Sequence, residues 1–363
     1  MLKFIHAADF HLDSAFGALT PQQAAARRRE SRELVFQLSN YVNRNGVQLV
    51  LLAGDLFDSA SAFRETREQL AEALGQMEAK VFIAPGNHDW YGPSWQTVEW
   101  PENVHIFKTA TLEAVELPEW KVTVHGAAFT GTEQAEGFLT GFTAPEDGNV
   151  HLGLLHGEID PAERRYGPIR TEEAAASGFA YLAMGHIHKR TEPLRFGRTL
   201  CAWPGCLEGR GFDELGEKGF YEGVIADDGK ITLAFVPFAR RRYEILKVDV
   251  TGKPPRAAVE EALPPETARD LYRILLAGET GESGANAAAL HEALADRFFA
   301  LEIRDHTRIA EDIWARAGED SLRGEFLRNL HGRWLAAQTE EEKEIVTGAV
   351  RFGLAALEHR DLV

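Results

Sequence analysis

Over roughly its first 200 residues the chain repeats one pattern: a short apolar, β-rich run, a loop carrying His, Asp or Asn, then a helical or irregular stretch. The runs are residues 4–8, 47–53, 81–84, 122–125, 152–155 and 181–184. Between the first two lies 21–45, with Leu34, Leu38 and Tyr41 on one helical face; between the next two lies 64–77, also of helical pattern. Strand–helix–strand order predicts parallel strands covered by helices. In such sheets functional groups collect where loops leave the carboxyl ends of strands, and every polar motif here follows a predicted strand end.

From Thr199 the texture becomes hairpin-like. Residues 219–226, the turn Asp227-Asp228-Gly229-Lys230 and residues 231–238 predict two strands joined tightly, and 243–250 predicts one more. Gly252-Lys253-Pro254-Pro255 reads as a linker, so we expect domains at 1–250 and 251–363. The second is Ala-, Leu-, Glu- and Arg-rich, with helices expected at 256–263, 266–276, 287–300, 321–335 and 340–357 and a flexible break at 278–284.

No apolar run is long enough to span a bilayer. Met1 leads directly into a strand pattern without a leader signature, so a cytoplasmic protein with no membrane partner is expected. Cys201 and Cys206 match no paired-thiol metal knuckle and read as reduced, buried thiols. The formal charge of −17 excludes a basic nucleic-acid-binding domain. Short basic clusters do occur at Arg27-Arg28-Arg29, Arg164-Arg165, Lys189-Arg190 and Arg240-Arg241-Arg242, and a solvated surface is the commoner reading of each.

Asp9 and His11 follow the first run with alternate spacing, which can turn both to one side of a strand end. Gly54-Asp55 follows the second; the glycine permits a sharp turn, and two carboxylate oxygens could bridge two cations. Gly86-Asn87-His88-Asp89 follows the third, and Asn87 offers a neutral oxygen ligand. His156 and Gly185-His186-Ile187-His188 end the fifth and sixth runs. Each motif alone is as easily turn or cap chemistry. Together they supply enough nitrogen and oxygen donors for two divalent ions with positions left for water and substrate. His6, His105, His125, His151, His291, His306, His331 and His359 lack partner motifs and are expected to be structural.

Two cations about 3.5–4 Å apart would activate water and neutralise charge on phosphoryl oxygens. His88, outside this ligand set, is the candidate for protonating the leaving group, since imidazole titrates near neutrality.

The ordered set Asp9/His11, Gly54-Asp55, Gly86-Asn87-His88-Asp89, His156 and Gly185-His186-Ile187-His188 resembles the calcineurin-like metallophosphoesterase superfamily. Residues 5–14, Gly54-Asp55-Leu56-Phe57-Asp58, Trp203-Pro204-Gly205, Gly209-Arg210 and Gly216-Glu217-Lys218-Gly219 are similar to its bacterial DNA-repair exonuclease branch, of SbcD and YhaO type. The resemblance covers about residues 1–250. It implies a four-layer αββα, α/β core with a mainly helical C-terminal accessory region. It also implies that Asp9, His11 and His188 hold one ion, that Asn87, His156 and His186 hold the other, that Asp55 bridges, and that His88 is catalytic. The ions implied are manganese foremost, with magnesium or iron as alternatives. The implied partners are DNA and a coiled-coil, SMC-like ATPase, with a homodimer as a further expectation. Asp58, Arg164, Arg165, Lys189 and Arg190 are candidate substrate contacts; eukaryotic and archaeal relatives often carry a second histidine in the place of Asp58. A small-phosphoester phosphatase or phosphodiesterase is the rival enzyme reading, favoured by the acidic balance, and a catalytically silent regulatory subunit is the rival outside enzymes.

Overall fold

The computed structural model describes residues 1–280, 284–309 and 314–357. In chain order the first elements are β1 (Leu2–Ala7), α1 (Pro21–Arg44), β2 (Leu49–Leu52), α2 (Arg64–Gly75), β3 (Lys80–Ile83), β4 (Val104–Ile106), β5 (Glu113–Leu117) and β6 (Val122–Gly126). Then come β7 (Val150–His156), β8 (Glu158–Ile159), β9 (Pro168–Ile169), α3 (Thr171–Ala176), β10 (Tyr181–Gly185), β11 (Leu194–Phe196), β12 (Thr199–Ala202), β13 (Gly219–Ile225) and β14 (Ile231–Pro237). Beyond the hairpin run β15 (Tyr243–Asp249), α4 (Pro255–Ala262), β16 (Leu271–Ala277), β17 (Glu279–Thr280), α5 (Ala287–Leu294), β18 (Ala300–Asp305), β19 (Arg308–Ile309), α6 (Leu322–Ala336) and α7 (Glu340–Leu357).

Two six-stranded sheets form the core. The first has the order β14-β13-β1-β2-β3-β4, parallel from β1 to β4 and completed by the antiparallel β13–β14 hairpin. The second has the order β11-β12-β10-β7-β6-β5, parallel from β12 to β6 with antiparallel edges. Side chains alternate across a strand, and that alternation explains the layering. Phe4, Leu49, Leu51 and Phe82 of the first sheet join Val124, Leu152, Leu154 and Tyr181 of the second in one buried cluster, so the sheets stack face to face. Ile5, Val50, Leu52 and Val81 point the other way and meet Leu34, Leu38, Leu70 and Leu74 of α1 and α2. The outer face of the second sheet buries Leu182, Met184 and Cys201 against Phe129, Phe138 and Phe179. That outermost layer is built largely from loops, with the six-residue α3 as its helix.

α1 starts where the sequence provides for it. Thr20 caps the Gln23 amide, Gln23 returns the contact, and Pro21 occupies the first turn, where a missing N–H costs nothing. His6 lies wholly buried between the sheets, with Nδ1 2.7 Å from the Tyr181 hydroxyl and Nε2 3.1 Å from the Met184 carbonyl.

The chain divides into two units, one formed by Met1–Leu246, Leu263–Ile274 and His291–Glu302, the other by Lys247–Ala262, Leu275–Leu290 and Ile303–Val363. Both sheets belong to the first. In the second, α6 and α7 meet closely enough that a Cβ on Gly353 would come within 2.0 Å of the Phe326 ring. Helices at α4, α5, α6 and α7 follow the sequence expectation, but residues 266–276 do not form a helix. They contain β16, in which Tyr272, Ile274 and Leu276 are buried alternately with the half-buried Arg273 and Leu275. Period-two burial overrides the helix propensity of its leucines. Of the expected break at 278–284, residues 281–283 lie outside the described residues, as does His359.

Candidate metal centre

All five motifs sit at carboxyl ends of parallel strands, β1, β2 and β3 in one sheet and β7 and β10 in the other. The loops after β1 and β2 continue side by side: the Asp9, His11 and Leu12 amides donate to the carbonyls of Gly54, Asp55 and Leu56 at 3.0, 2.9 and 2.9 Å. Turning these loops inward takes Asp9, His11, Asp55 and His186 into the left-handed region, at φ 54°, 43°, 50° and 92°. Such backbone is costly for residues with a Cβ and persists where the surroundings impose it. Gly185 allows the two sheets to meet here, since a Cβ on it would stand 1.8 Å from the Ala53 carbonyl oxygen.

One donor atom from each of Asp9, His11, Asp55 and His188 lies within 4.8 Å of the others, and so does one from each of Asp55, His156 and His186. Asp55 is common to both groups. Asn87 Oδ1 is 3.1 Å from both His156 Nε2 and His186 Nδ1. His88 stands beside these groups, exposed, its ring 4.9 Å from that of His11.

Tautomers reveal what the cradle lacks. His156 Nδ1 donates to the Ala53 carbonyl at 2.8 Å, so Nε2 is the nitrogen turned towards Asn87 Oδ1 and Asp55 Oδ2, the latter at 3.3 Å, and it offers a lone pair to a cation once it gives up its proton. His188 Nδ1 faces Glu214 Oε1 at 2.7 Å and is protonated likewise, leaving its Nε2 3.1 Å from His11 Nε2. Asp9 is fully buried, and its Oδ2 has no hydrogen-bond partner. With His156 Nε2 deprotonated, acceptors converge on acceptors, an arrangement that a pair of divalent cations would satisfy.

Charge shifts record the same imbalance. Burial pushes the Asp9 carboxyl up. Burial would lower His156, yet the carboxylates of Asp55 and Asp9 overcome it and raise that imidazole to about 9. Burial, reinforced by the charge on His156, lowers His186 to about 3. The site therefore holds negative potential that attracts a proton, or a cation in its place.

Several supporting residues went unassigned in the sequence reading. Asp89 accepts from the amides of Gly86, Leu56 and Asp55 at 2.7, 2.7 and 3.2 Å, tying the loop after β3 to the loop after β2; burial and the Asp55 charge raise it to about 7. Glu158 lies 2.9 Å from His186 Nε2, and Glu214 holds His188. Arg210 pairs with Glu214 and with Asp58, both at 2.9 Å. Proximity of Glu158 to the His156 motif and the place of Asp89 within Gly86-Asn87-His88-Asp89 are signals that could have found two of them; Glu214 has no local signal.

Of the expected substrate contacts, Asp58 and Arg165 line one cleft together with Asn87 and His88. Asp58 receives hydrogen bonds from Ser14 and Arg210 and lies 3.4 Å from His11 Nδ1. Arg165 pairs with Glu133, Arg190 covers the Phe235 ring, and Lys189 and Arg164 are exposed. Two of the basic clusters are not solvated surfaces throughout: Arg27 is wholly buried and Arg241 largely so.

The family model for calcineurin-like phosphoesterases matches residues 2–190, and the chain belongs to that family. It is 35% identical over 269 residues to a Bacillus subtilis (strain 168) protein described as the uncharacterized metallophosphoesterase YhaO, an alignment covering 69% of this chain and 64% of that protein. Among solved structures it is similar to TT1561 of Thermus thermophilus, at 12% identity and a TM-score of 0.41, over 64% of this chain and 98% of that one. No helix among the described residues is long and apolar enough to cross a membrane.

Proposed function

We propose that the chain is a two-metal phosphodiester hydrolase acting on DNA ends, the exonuclease subunit of a DNA-repair complex. In this reading it uses manganese and works in the cytoplasm beside a coiled-coil, SMC-like ATPase. The observation that carries the hydrolase part is the convergence of acceptors in the cradle. Asp9, His11 and His188 would hold one ion, Asn87, His156 and His186 the other, with Asp55 between. Bound divalent cations supply Lewis acidity, activating water and neutralising charge on the phosphoryl oxygens.

The protein groups do the rest. His88 is anchored by its amide, which donates to Asp55 Oδ1 at 2.9 Å, and its Nδ1 lies 2.9 Å from the Asp58 carbonyl oxygen. Nδ1 therefore donates to that carbonyl, and the doubly protonated imidazolium form of His88 would hand the proton on its Nε2 to the departing oxygen. Glu214 and Ala53 keep His188 and His156 in the tautomer that points Nε2 inward.

Purified protein with manganese should hydrolyse bis(p-nitrophenyl) phosphate and shorten linear duplex DNA. His88→Asn should lower the rate about 10²- to 10⁴-fold while manganese content is unchanged. A wild type that binds manganese yet is inert towards both substrates would sink the enzymatic reading in favour of a regulatory subunit.

A small phosphoester is the second reading, favoured by the net charge of −17 and by the internal pairing of Arg27, Arg165 and Arg241. Salt distinguishes the two, because cleavage that depends on several phosphate contacts weakens steeply as salt rises and turnover of a small ester does not.

A further inference from the structure

A cleft of about 670 Å³ opens beside the metal centre and shares Asn87, His88 and Asp58 with it. Two half-buried aromatic rings, Trp90 and Tyr166, line this cleft. Both are held by neighbouring groups. Trp90 rests on the apolar cluster outside the second sheet and lies so close to Gly92 that a Cβ there would be 2.4 Å from the indole. The Tyr166 ring lies 5.2 Å from that of His186 at 38°, and the Arg165 guanidinium sits 5.6 Å from the Tyr166 centroid. Gln134, whose carbonyl accepts from Gly167 N at 2.8 Å, pins the Tyr166 segment.

The cleft's charge complements this shape. Arg165 is its only Lys or Arg among the described lining residues, and Glu133 already pairs with it. The lining thus offers no track for successive phosphates; it offers rigid flat faces next to a centre that takes one phosphoryl group. Base stacking on aromatic side chains needs such faces and an unpaired base, and it is indifferent to sequence because every base has a π-face.

We infer that this cleft is a nucleobase subsite in which Trp90 and Tyr166 stack an unpaired base attached to the scissile phosphoester. The inference deepens the phosphodiester-hydrolase reading and rests on it. It commits the enzyme to nucleotidyl esters whose terminal base has left the duplex.

Two measurements with manganese-loaded protein test it. The first compares the p-nitrophenyl ester of thymidine 5′-phosphate with methyl p-nitrophenyl phosphate, which has the same leaving group and no base. Tyr166→Leu should raise the KM ratio of thymidine to methyl ester about 10-fold, and Tyr166→Phe should restore it, in line with the cost of losing one stacked base. The second is calorimetric binding of adenosine monophosphate against ribose 5-phosphate. Wild type should prefer the nucleotide about 10-fold, and Tyr166→Leu and Trp90→Leu, chosen to keep apolar bulk, should bring the two ligands within about 2-fold. Equal binding of both ligands by wild type, or an unchanged preference in both folded leucine variants, overturns the subsite. If wild type cleaves neither ester but shows a nucleotide preference that the variants lose, the subsite stands and the hydrolase reading falls.

Discussion

Two buried clusters of charge in the first unit handle the same problem in opposite ways. Around Arg27 every carboxylate meets a guanidinium: Arg27 Nη1 is 3.0 Å from Glu30 and 2.8 Å from Glu208, and Arg241 reaches the two oxygens of Glu30 at 2.8 and 2.7 Å. That cluster is charge-paired, although Arg27 Nε and Glu208 Oε2 make no hydrogen bond, and it ties α1 to the loops at Glu208 and Arg241. In the candidate metal centre carboxylates and imidazole nitrogens face one another across a shared cradle, while Arg210 stands 3.1 Å from His188 Nδ1 and 2.9 Å from Asp58. His6 marks the boundary between the two designs, being as buried as His156 yet paired only with a neutral hydroxyl and a backbone carbonyl, whereas His156 also faces the Asp55 carboxylate. Burial alone does not separate structural from functional polar groups; whether opposite charges pair within the cluster does.

The contrast predicts where the chain breaks. Arg27→Met should cost about 3–5 kcal/mol in urea unfolding, because it leaves the buried Glu208 without its guanidinium while Glu30 keeps Arg241, and manganese should not repair it. Next in size, manganese at a hundred times its dissociation constant should stabilise wild type by about 2.7 kcal/mol; the gain should largely vanish in Asp9→Ala, and equal gains in both would refute an electrically open cradle. Glu214→Gln should weaken manganese affinity about 10- to 100-fold by loosening the His188 tautomer, read by calorimetry.

His6 acts gradually with pH rather than at one pH, and its sign is fixed. Burial lowers His6 to about 3 from an ordinary 6.5, so above pH 6.5 it is neutral whether the chain is folded or not and stability is full. As pH falls from 6.5 towards 3, only the unfolded chain takes up the proton. Stability should drop by up to about 1.4 kcal/mol per pH unit through that window, and the wild-type slope should exceed that of His6→Leu.

Much of this was legible in the sequence because β1, β2, β3, β7 and β10 are short, apolar and each ends at its own polar motif. α1 and α2 were equally plain from their spacing, and Thr20 and Pro21 mark the start of α1. β16 was not, since leucine fits either element and only the alternate burial of Tyr272, Ile274 and Leu276 decides. Nor were the residues that steady the ligands: Glu214 meets His188 across 26 positions of chain, and Arg210 meets Asp58 across 152. Strand-end donors announce themselves locally, whereas their supports come from whichever loop the fold brings alongside.

Because Asp9, His11, Asp55 and Asn87 hang from one sheet and His156, His186 and His188 from the other, any ion they share is also a rivet through the sandwich. Sliding one sheet past its neighbour by a fraction of an ångström would pull donors off their metal long before it disturbed the apolar seam between them. Catalytic alignment and the mechanical registry of the two sheets are therefore one property, set together or lost together.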